Sequence, residues 1–367
     1  MNNPSLQIDL AKITKNAETI VSLCSQAGIT VTGVTKAVCG DPRIALAMLK
    51  GGIKALADAR IENIIKMREA GLQAKFMLLR SPMLSEIEQV VKFCDFSLNS
   101  EPKVLKGLSQ AAQKYDTVHN VILMIDVGEI REGILPISIF KVGREIKNLA
   151  GIQVVGVGTN LTCYSGVLPT KENMNLLIKT GQELEQILGC PLQIYSGGNS
   201  SNLELLEKGI HPPRINQFRI GESILLGHYL ARSTPIKGTY QDAFVLAAEL
   251  IELKEKPSLP YGKLGANLFD EHPAERQLRL HFRGIAAIGR QDVPPDGIIP
   301  LESGIPLKVI GATSDHTVLD FGNLIDGFGV GSQIRFKINY PALLALMTSP
   351  YIHKKYTNSR SAGGAEQ

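Results

Sequence analysis

A chain of 367 residues is about twice the usual length of one domain, so a large domain with a smaller companion is expected. An apolar share of 44% suits a buried core, and a net charge of +4 over this length marks no strongly basic surface. No Lys/Arg run is interleaved with aromatics and no apolar run approaches the ~20 residues of a bilayer span, which argues against nucleic acid and membrane as partners.

The chain opens on MNNPSLQIDLAKITKN, which has neither the basic nor the apolar region of a secretory signal. A strand is expected near Leu6–Leu10, ahead of the first helix. From about Gly28, short runs rich in Val, Ile and Leu alternate with longer amphipathic stretches. The runs are ITVTGVT (29–35), IKALADA (53–59), KFMLLRS (75–81), FCDFSLN (93–99), NVILMIDVG (120–128), IQVVGVGT (152–159), LQIYSG (192–197) and RINQFRIG (214–221). Between them, segments such as PRIALAMLKGG, ENIIKMREAG, LSEIEQVVKF, EPKVLKGLSQAAQKY and NMNLLIKTGQELEQILG repeat apolar residues at helical spacing. Several open on Ser, Asp or Pro and close on Gly. Such near-continuous apolar runs, each followed by a helical pattern, predict a parallel (β/α)8 barrel. A doubly wound open sheet is the competitor, but no G-x-G-x-x-G follows the first strand.

After about Gly238 the texture changes. FVLAAELIELKEKPS, RLHFRGIAAIGRQDVPPDG, PLKVIGATSDHTVLDF and VGSQIRFKINY read as strands divided by Pro, Gly and Asp turns. The expected division is a barrel over 1–237, whose first ~10 residues could join the second domain, and an all-β domain over 238–358. The closing SRSAGGAEQ (359–367) reads as a disordered tail or a cloning remnant. The cysteines Cys24, Cys39, Cys94, Cys163 and Cys190 are odd in number and form neither a C-x-x-C pair nor a metal-ligand spacing with His. They read as reduced thiols of a cytoplasmic protein that holds no metal.

The working face of a parallel barrel is the C-terminal end of its strands. There, after the first strand, VTKAVCGDP puts Lys36. A lysine desolvated at such a place has a lowered pKa and attacks an aldehyde carbon as the neutral amine, whereas an exposed one is simply a strand-end lysine. After strands seven and eight come YSGGNSSN and RIGESILLG, Gly-rich turns with Ser that present N–H groups and hydroxyls to an anion, or serve as ordinary left-handed turns. A lysine facing two phosphate-type loops points to a phosphorylated carbonyl compound, and pyridoxal phosphate fits that description. Arg219 then selects the chemistry. An arginine keeps its proton, so a pyridine nitrogen facing it stays unprotonated, which limits side reactions and suits simple proton removal and return. A pairing of Arg219 with Glu222 is the other reading.

The motifs VTKAVCGDP, IDVGEIREGI, GVGTN, SGGNSSNLELL, RIGESILLG, AIGRQDVPPDG, GATSDHTVLDF and ALMTSPYI together resemble the alanine-racemase-type pyridoxal-phosphate enzymes, more narrowly their ornithine/alanine racemase branch. They run over nearly the whole chain up to Tyr356. The resemblance implies a barrel with a β domain, a head-to-tail homodimer with shared sites, and Lys36 as the Schiff-base lysine. It implies that Ser196, Asn199, Ser200, Gly221 and Glu222 hold the phosphate, the last two through backbone N–H groups, and that Arg219 faces the pyridine nitrogen. Asn160 falls where related enzymes carry a histidine against the ring. Arg131 falls near an arginine placed by the cofactor phenolate, unless it pairs with Glu129 or Glu132 instead. Tyr351 resembles a late tyrosine that reaches the phosphate from the partner chain; a packing role is its alternative.

Racemisation needs a proton carrier on each face of a planar centre. Related enzymes supply the second as a tyrosine of a G-Y-A-D-G-like segment, but GRQDV puts Arg290 there, a carboxylate clamp rather than a base. The expected second carrier is therefore His316, with Ser314 behind it, and Asp315 is expected to bind a distal substrate ammonium. Against this, strand alternation would send Asp315 and His316 to opposite faces. The sequence thus reads as a racemase of a free amino acid, ornithine or lysine before alanine. A decarboxylase of the same fold would carry Glu in place of Arg219, a bare cofactor carrier would lack the β domain, and a barrel aldolase would not need both loops.

Overall fold

A computed structural model describes residues 4–265, 278–325 and 327–358, so the expected tail at 359–367 lies outside the described residues. After β1 (Ser5–Asp9) and α1 (Leu10–Ser25), the chain alternates β2 (Thr30–Val34), α2 (Pro42–Lys50), β3 (Ala55–Asp58), α3 (Ile61–Glu69), β4 (Lys75–Leu78), α4 (Ile87–Phe93), β5 (Phe96–Asn99) and α5 (Pro102–Lys114). It continues with β6 (His119–Met124), α6 (Ile139–Ile146), β7 (Ile152–Gly158), α7 (Lys171–Leu188), β8 (Ile194–Gly198), α8 (Leu203–Glu207), β9 (Gln217–Ile220) and α9 (Glu222–Leu226). Strands β2 to β9 pair in order as parallel neighbours and close into a barrel, as the apolar runs predict.

The helix ends follow from local chemistry. Asp41 caps α2 by accepting the N–H groups of Arg43 and Ile44, with Pro42 where no donor is needed. Thr170 and Asn173 form a capping box at α7, and Gly189 ends that helix at φ +76°. The barrel interior is filled by Val34, Ala57, Met77, Leu98, Ile122, Met124 and Val155, which come from β2 through β7. Buried polar side chains of β5 and β6 form a cluster. His119 is 2% exposed, and its Nε2 lies 2.8 Å from Ser97 Oγ, which also accepts from Asn99 Nδ2.

Burial pulls the His119 pKa down to about 4. The unfolded chain therefore takes up a proton near pH 6.5 that the folded barrel refuses until about 4. The stabilisation linked to this group is complete above about pH 6.5 and lost as pH falls through that window, about 3 kcal/mol in all. Urea unfolding of the wild type between pH 4 and 7 is expected to show this slope, and His119→Gln should flatten it.

Residues up to Asp9 join Asp242–Asn358 in one compact unit, and Leu10–Gln241 make the other. The first unit holds β10 (Phe244–Pro257), β11 (Leu280–Ala286), β12 (Ile298–Pro300), β13 (Lys308–Ala312), β14 (Thr317–Asp320), β15 (Gln333–Ile338), α10 (Tyr340–Thr348) and β16 (His353–Thr357). Strand β1 pairs antiparallel with β10 and parallel with β16. Two expected strands are corrected. Residues 306–321 form the hairpin β13–β14 with a turn at 313–316, and 287–297 leave the sheet after β11. Among the described residues no helix is long and apolar enough to cross a membrane.

Candidate active site

Strand β2 is followed by buried Thr35, whose Oγ1 donates to Asp58 Oδ2 at 2.7 Å. Asp58 is fully buried at the end of β3, and its other oxygen accepts from Asn63 Nδ2 and Arg60 N. Burial pushes its carboxyl up while these donors pull the other way. The backbone just before Lys36 is thereby fixed. Lys36 itself is exposed, not desolvated as the sequence suggests, so its amine is open to a reactant.

The neighbouring strand β9 pairs with β2 and carries Arg219, only 4% exposed. Its guanidinium donates to Ser196 Oγ and, at 2.6 Å, to the Thr159 carbonyl, both neutral acceptors. Glu222 is engaged elsewhere, 3.3 Å from His228 Nε2. Desolvation lowers the Arg219 pKa to about 10, which still leaves a cation at neutral pH. A buried guanidinium with neutral partners is an unusual expense for a barrel core and marks a functional position. Gly158 makes room for it, since a Cβ there would lie 3.3 Å from Arg219 Nη1.

Ser196, expected at the phosphate, accepts from Arg219 and keeps its own hydroxyl proton to donate. Asn199, also expected at the phosphate, is engaged by neighbouring loops. Its Nδ2 donates to Leu161 O at 2.7 Å, Asn160 Oδ1 and Cys163 Sγ at 3.2 Å, and its Oδ1 accepts from Ser201, so it braces two loops. Ser200 remains at the junction of the loops after β8 and β9, where its buried Oγ accepts from Ser223 N at 3.4 Å. Gly221 is required here, because a Cβ would stand 2.9 Å from Val34 O. Two further polar atoms, Thr159 Oγ1 and Asn160 Nδ2, are buried and find no partner among the described residues. Unsatisfied polar atoms beside a buried arginine, abutting serine loops and an open amine fit a phosphorylated pyridine aldehyde.

Arg131 is exposed and forks onto the Glu132 carboxylate, which raises its pKa, so the loop pairing weighed from sequence is realised with Glu132. Glu129 does not join it. Its carboxylate accepts backbone N–H groups from Thr162, Tyr164, Ser165 and Val167.

In the other unit, three stretches converge. Gly289 lies against the 313–316 turn, where a Cβ would come within 2.4 Å of Asp315 N, and the backbones of Arg290 and Gln291 donate to Thr313 O and Ser314 O at 2.9 Å. Arg290 Nε also donates to Ala312 O. Asp292 accepts from Ser349 Oγ at 2.5 Å, and Ser349 Oγ accepts from Tyr351 N, so the turn bearing Arg290 is tied to the one bearing exposed Tyr351. The alternation argument for Asp315 and His316 is overturned. In a turn rather than a strand, His316 Nδ1 meets Asp315 Oδ1 at 2.8 Å, with both side chains accessible to solvent.

The N-terminal domain model of alanine racemase matches residues 8–228, more than half of the chain. The chain belongs to the alanine racemase family. Among curated relatives of this racemase family, the lysine racemase of Thermotoga maritima is 40% identical over 97% of the chain and 99% of its own length. The ornithine racemase of Acetoanaerobium sticklandii is 39% identical over 96% and 99%. The alanine racemase structure from Streptomyces lavendulae superposes with a TM-score of 0.75 at 16% identity, covering 98% of each chain, and shows the shared fold. A D-threonine aldolase from Filomicrobium marinum superposes at 0.68 with 15% identity, over 93% of this chain and 88% of its own, so the fold alone does not select the reaction.

Glu129, Thr159, Cys163, Asp58 and Asp292 escaped the sequence reading. Thr159 acts through its carbonyl, which no side chain announces. The others act on segments remote in the chain.

Proposed function

We propose that this protein is a pyridoxal-phosphate-dependent racemase of a basic amino acid, ornithine or lysine before alanine, working as a homodimer in the cytoplasm. The observation that carries it is Arg219, buried beside the strand of Lys36 with neutral partners only in its recorded bonds. The two relatives similar over nearly the full chain, named lysine and ornithine racemases, support the substrate class.

When bound, the cofactor supplies an electron sink that acidifies the substrate Cα proton. Lys36 would hold it covalently and carry the proton on one face. Ser200, with the backbone of Gly221 and Glu222, would bind its phosphate, joined by Tyr351 of the other copy. Arg219 would donate to the ring nitrogen, and Asn160 Nδ2 has a donor to offer the ring's edge. Arg131 and Arg290 would clamp carboxylate or phenolate oxygens.

His316 is the proposed carrier on the opposite face. Asp315 is acceptor-only when ionised, so Nδ1 of His316 donates to it and Nε2 is left to exchange the proton. The hydrogen bond from His316 holds the Asp315 carboxyl below its usual range. Its second oxygen can meet a distal ammonium. Ser314 is the alternative carrier. Because these groups belong to the β unit, their use in a partner's barrel requires the dimer.

The test is racemisation of lysine, ornithine and alanine in heavy water, with chiral analysis. Wild type should exchange Cα–H and invert the basic amino acids. His316→Ala should slow inversion about 10²- to 10⁴-fold in both directions, while exchange with retention persists on the Lys36 face. Intact inversion would remove His316, and alanine turning over best would overturn the substrate class.

A further inference from the structure

Glu129 is 2% exposed, and its carboxylate accepts from four main-chain N–H groups. Oε1 accepts from Tyr164 N at 2.5 Å and Ser165 N at 3.1 Å; Oε2 accepts from Thr162 N at 3.1 Å and Val167 N at 3.2 Å. Its own carbonyl accepts from Ser165 Oγ at 2.6 Å. The two loops it joins follow different strands, β6 and β7. A side chain carboxylate here does what a bound anion does in a nest of amides, converging donors that would otherwise point apart. Burial alone would raise its pKa, yet the four amide donors outweigh it and hold the carboxyl below its ordinary range.

The geometry on either side is costly. Ile130 takes φ +55° and Thr162 φ +67°, left-handed conformations that β-branched residues rarely adopt. Asp126 Oδ1 caps the turn at Glu129 by accepting from Gly128 N and Ile130 N. Strain of this kind persists only where the surroundings over-determine it, and the Glu129 carboxylate is what does so. The loop it holds begins at Thr159, whose carbonyl accepts from Arg219, and runs through Asn160, Leu161 and Cys163, which all receive the Asn199 amide.

We infer that Glu129 is a positioning residue, seated in the 162–167 loop so as to fix the Thr159 carbonyl against Arg219 and the Asn160 amide beside it. This rests on the racemase reading for its catalytic consequence, but the loop-anchoring itself does not. Among the described residues no hydrogen bond joins Glu129 to Arg219 or Asn160, so the effect passes through the backbone.

The test compares wild type with Glu129→Gln, which swaps two acceptor oxygens for one and adds a donor facing donors. Amide hydrogen exchange at 162, 164, 165 and 167 should speed up about 10- to 100-fold, with exchange in β2 to β5 unchanged. In the enzyme loaded with pyridoxal phosphate, kcat should fall about 10- to 100-fold with little change in KM, and the visible band of the bound cofactor should shift. Glu129→Asp, which keeps the charge, should recover part of both. Should Glu129→Gln fail to fold, Ser165→Ala, which removes the exposed hydroxyl tie to the Glu129 carbonyl, should give the same changes more weakly. Protected loop amides in the variants would overturn the inference, as would loosened amides with kcat and the band untouched. A wild type with no visible band and no racemisation would instead sink the racemase reading, while the exchange measurement would still decide whether Glu129 holds the loop.

Discussion

Lys36→Ala is expected to abolish racemisation, by about 10⁴-fold or more, and with it the visible band that forms when pyridoxal phosphate is added. In the proposed reaction one amine both holds the cofactor and carries a proton, so its loss would remove a covalent step together with a general base. The surroundings make the result interpretable. Lys36 is exposed, and the backbone before it is fixed by Thr35 and Asp58 rather than by its own side chain, so the variant should fold with an unchanged melting temperature. Spectra and chiral assays decide the matter. Retained turnover with a retained band would move the covalent link to another lysine.

Arg219→Glu is expected to be nearly as damaging, for a different reason. The guanidinium now donates to Ser196 Oγ and the Thr159 carbonyl. A carboxylate cannot donate to that carbonyl, and it would be desolvated beside it, so the barrel should lose a few kcal/mol of stability. A protonated acid in the same place would donate toward the ring nitrogen and strengthen its electron withdrawal. Racemisation should fall about 10²- to 10³-fold, the size of losing one preorganised donor, and oxo acid should accumulate as a by-product. Melting curves and an oxo-acid assay separate the two effects. Undiminished racemisation without by-product would show that Arg219 plays no part at the ring.

The barrel was legible because a parallel sheet covered on both faces leaves continuous apolar runs, and all of the runs from ITVTGVT to RINQFRIG became strands. Lys36 and the two serine-rich loops were legible because strand ends define the working face. The errors lie one layer below. SGGNSSN shows Ser196, Asn199 and Ser200 as polar candidates, but only packing decides that Ser196 meets Arg219, Asn199 turns to Asn160 and Leu161, and Ser200 meets the neighbouring loop. The apolar flanks of GATSDH disguised a turn, so strand alternation stood against the pairing of Asp315 with His316 that the turn allows. Glu129 sits among charged neighbours in GEIREG and looks like a surface acid; its four donors lie 33 to 38 residues further on.

The pairing of β1 between β10 and β16 bears on the order in which the chain can fold as it is made. Leu10–Gln241 is one unbroken stretch, so the barrel has all its strands long before synthesis is complete. Residues Ser5–Asp9 leave the ribosome ahead of the barrel, yet their parallel partner His353–Thr357 is among the last described segments to appear. For most of translation this short strand has its edges unsatisfied, and the contact that places it spans nearly the whole chain. The slowest step in reaching the native state is therefore expected to be the closing of that sheet, with the barrel already formed.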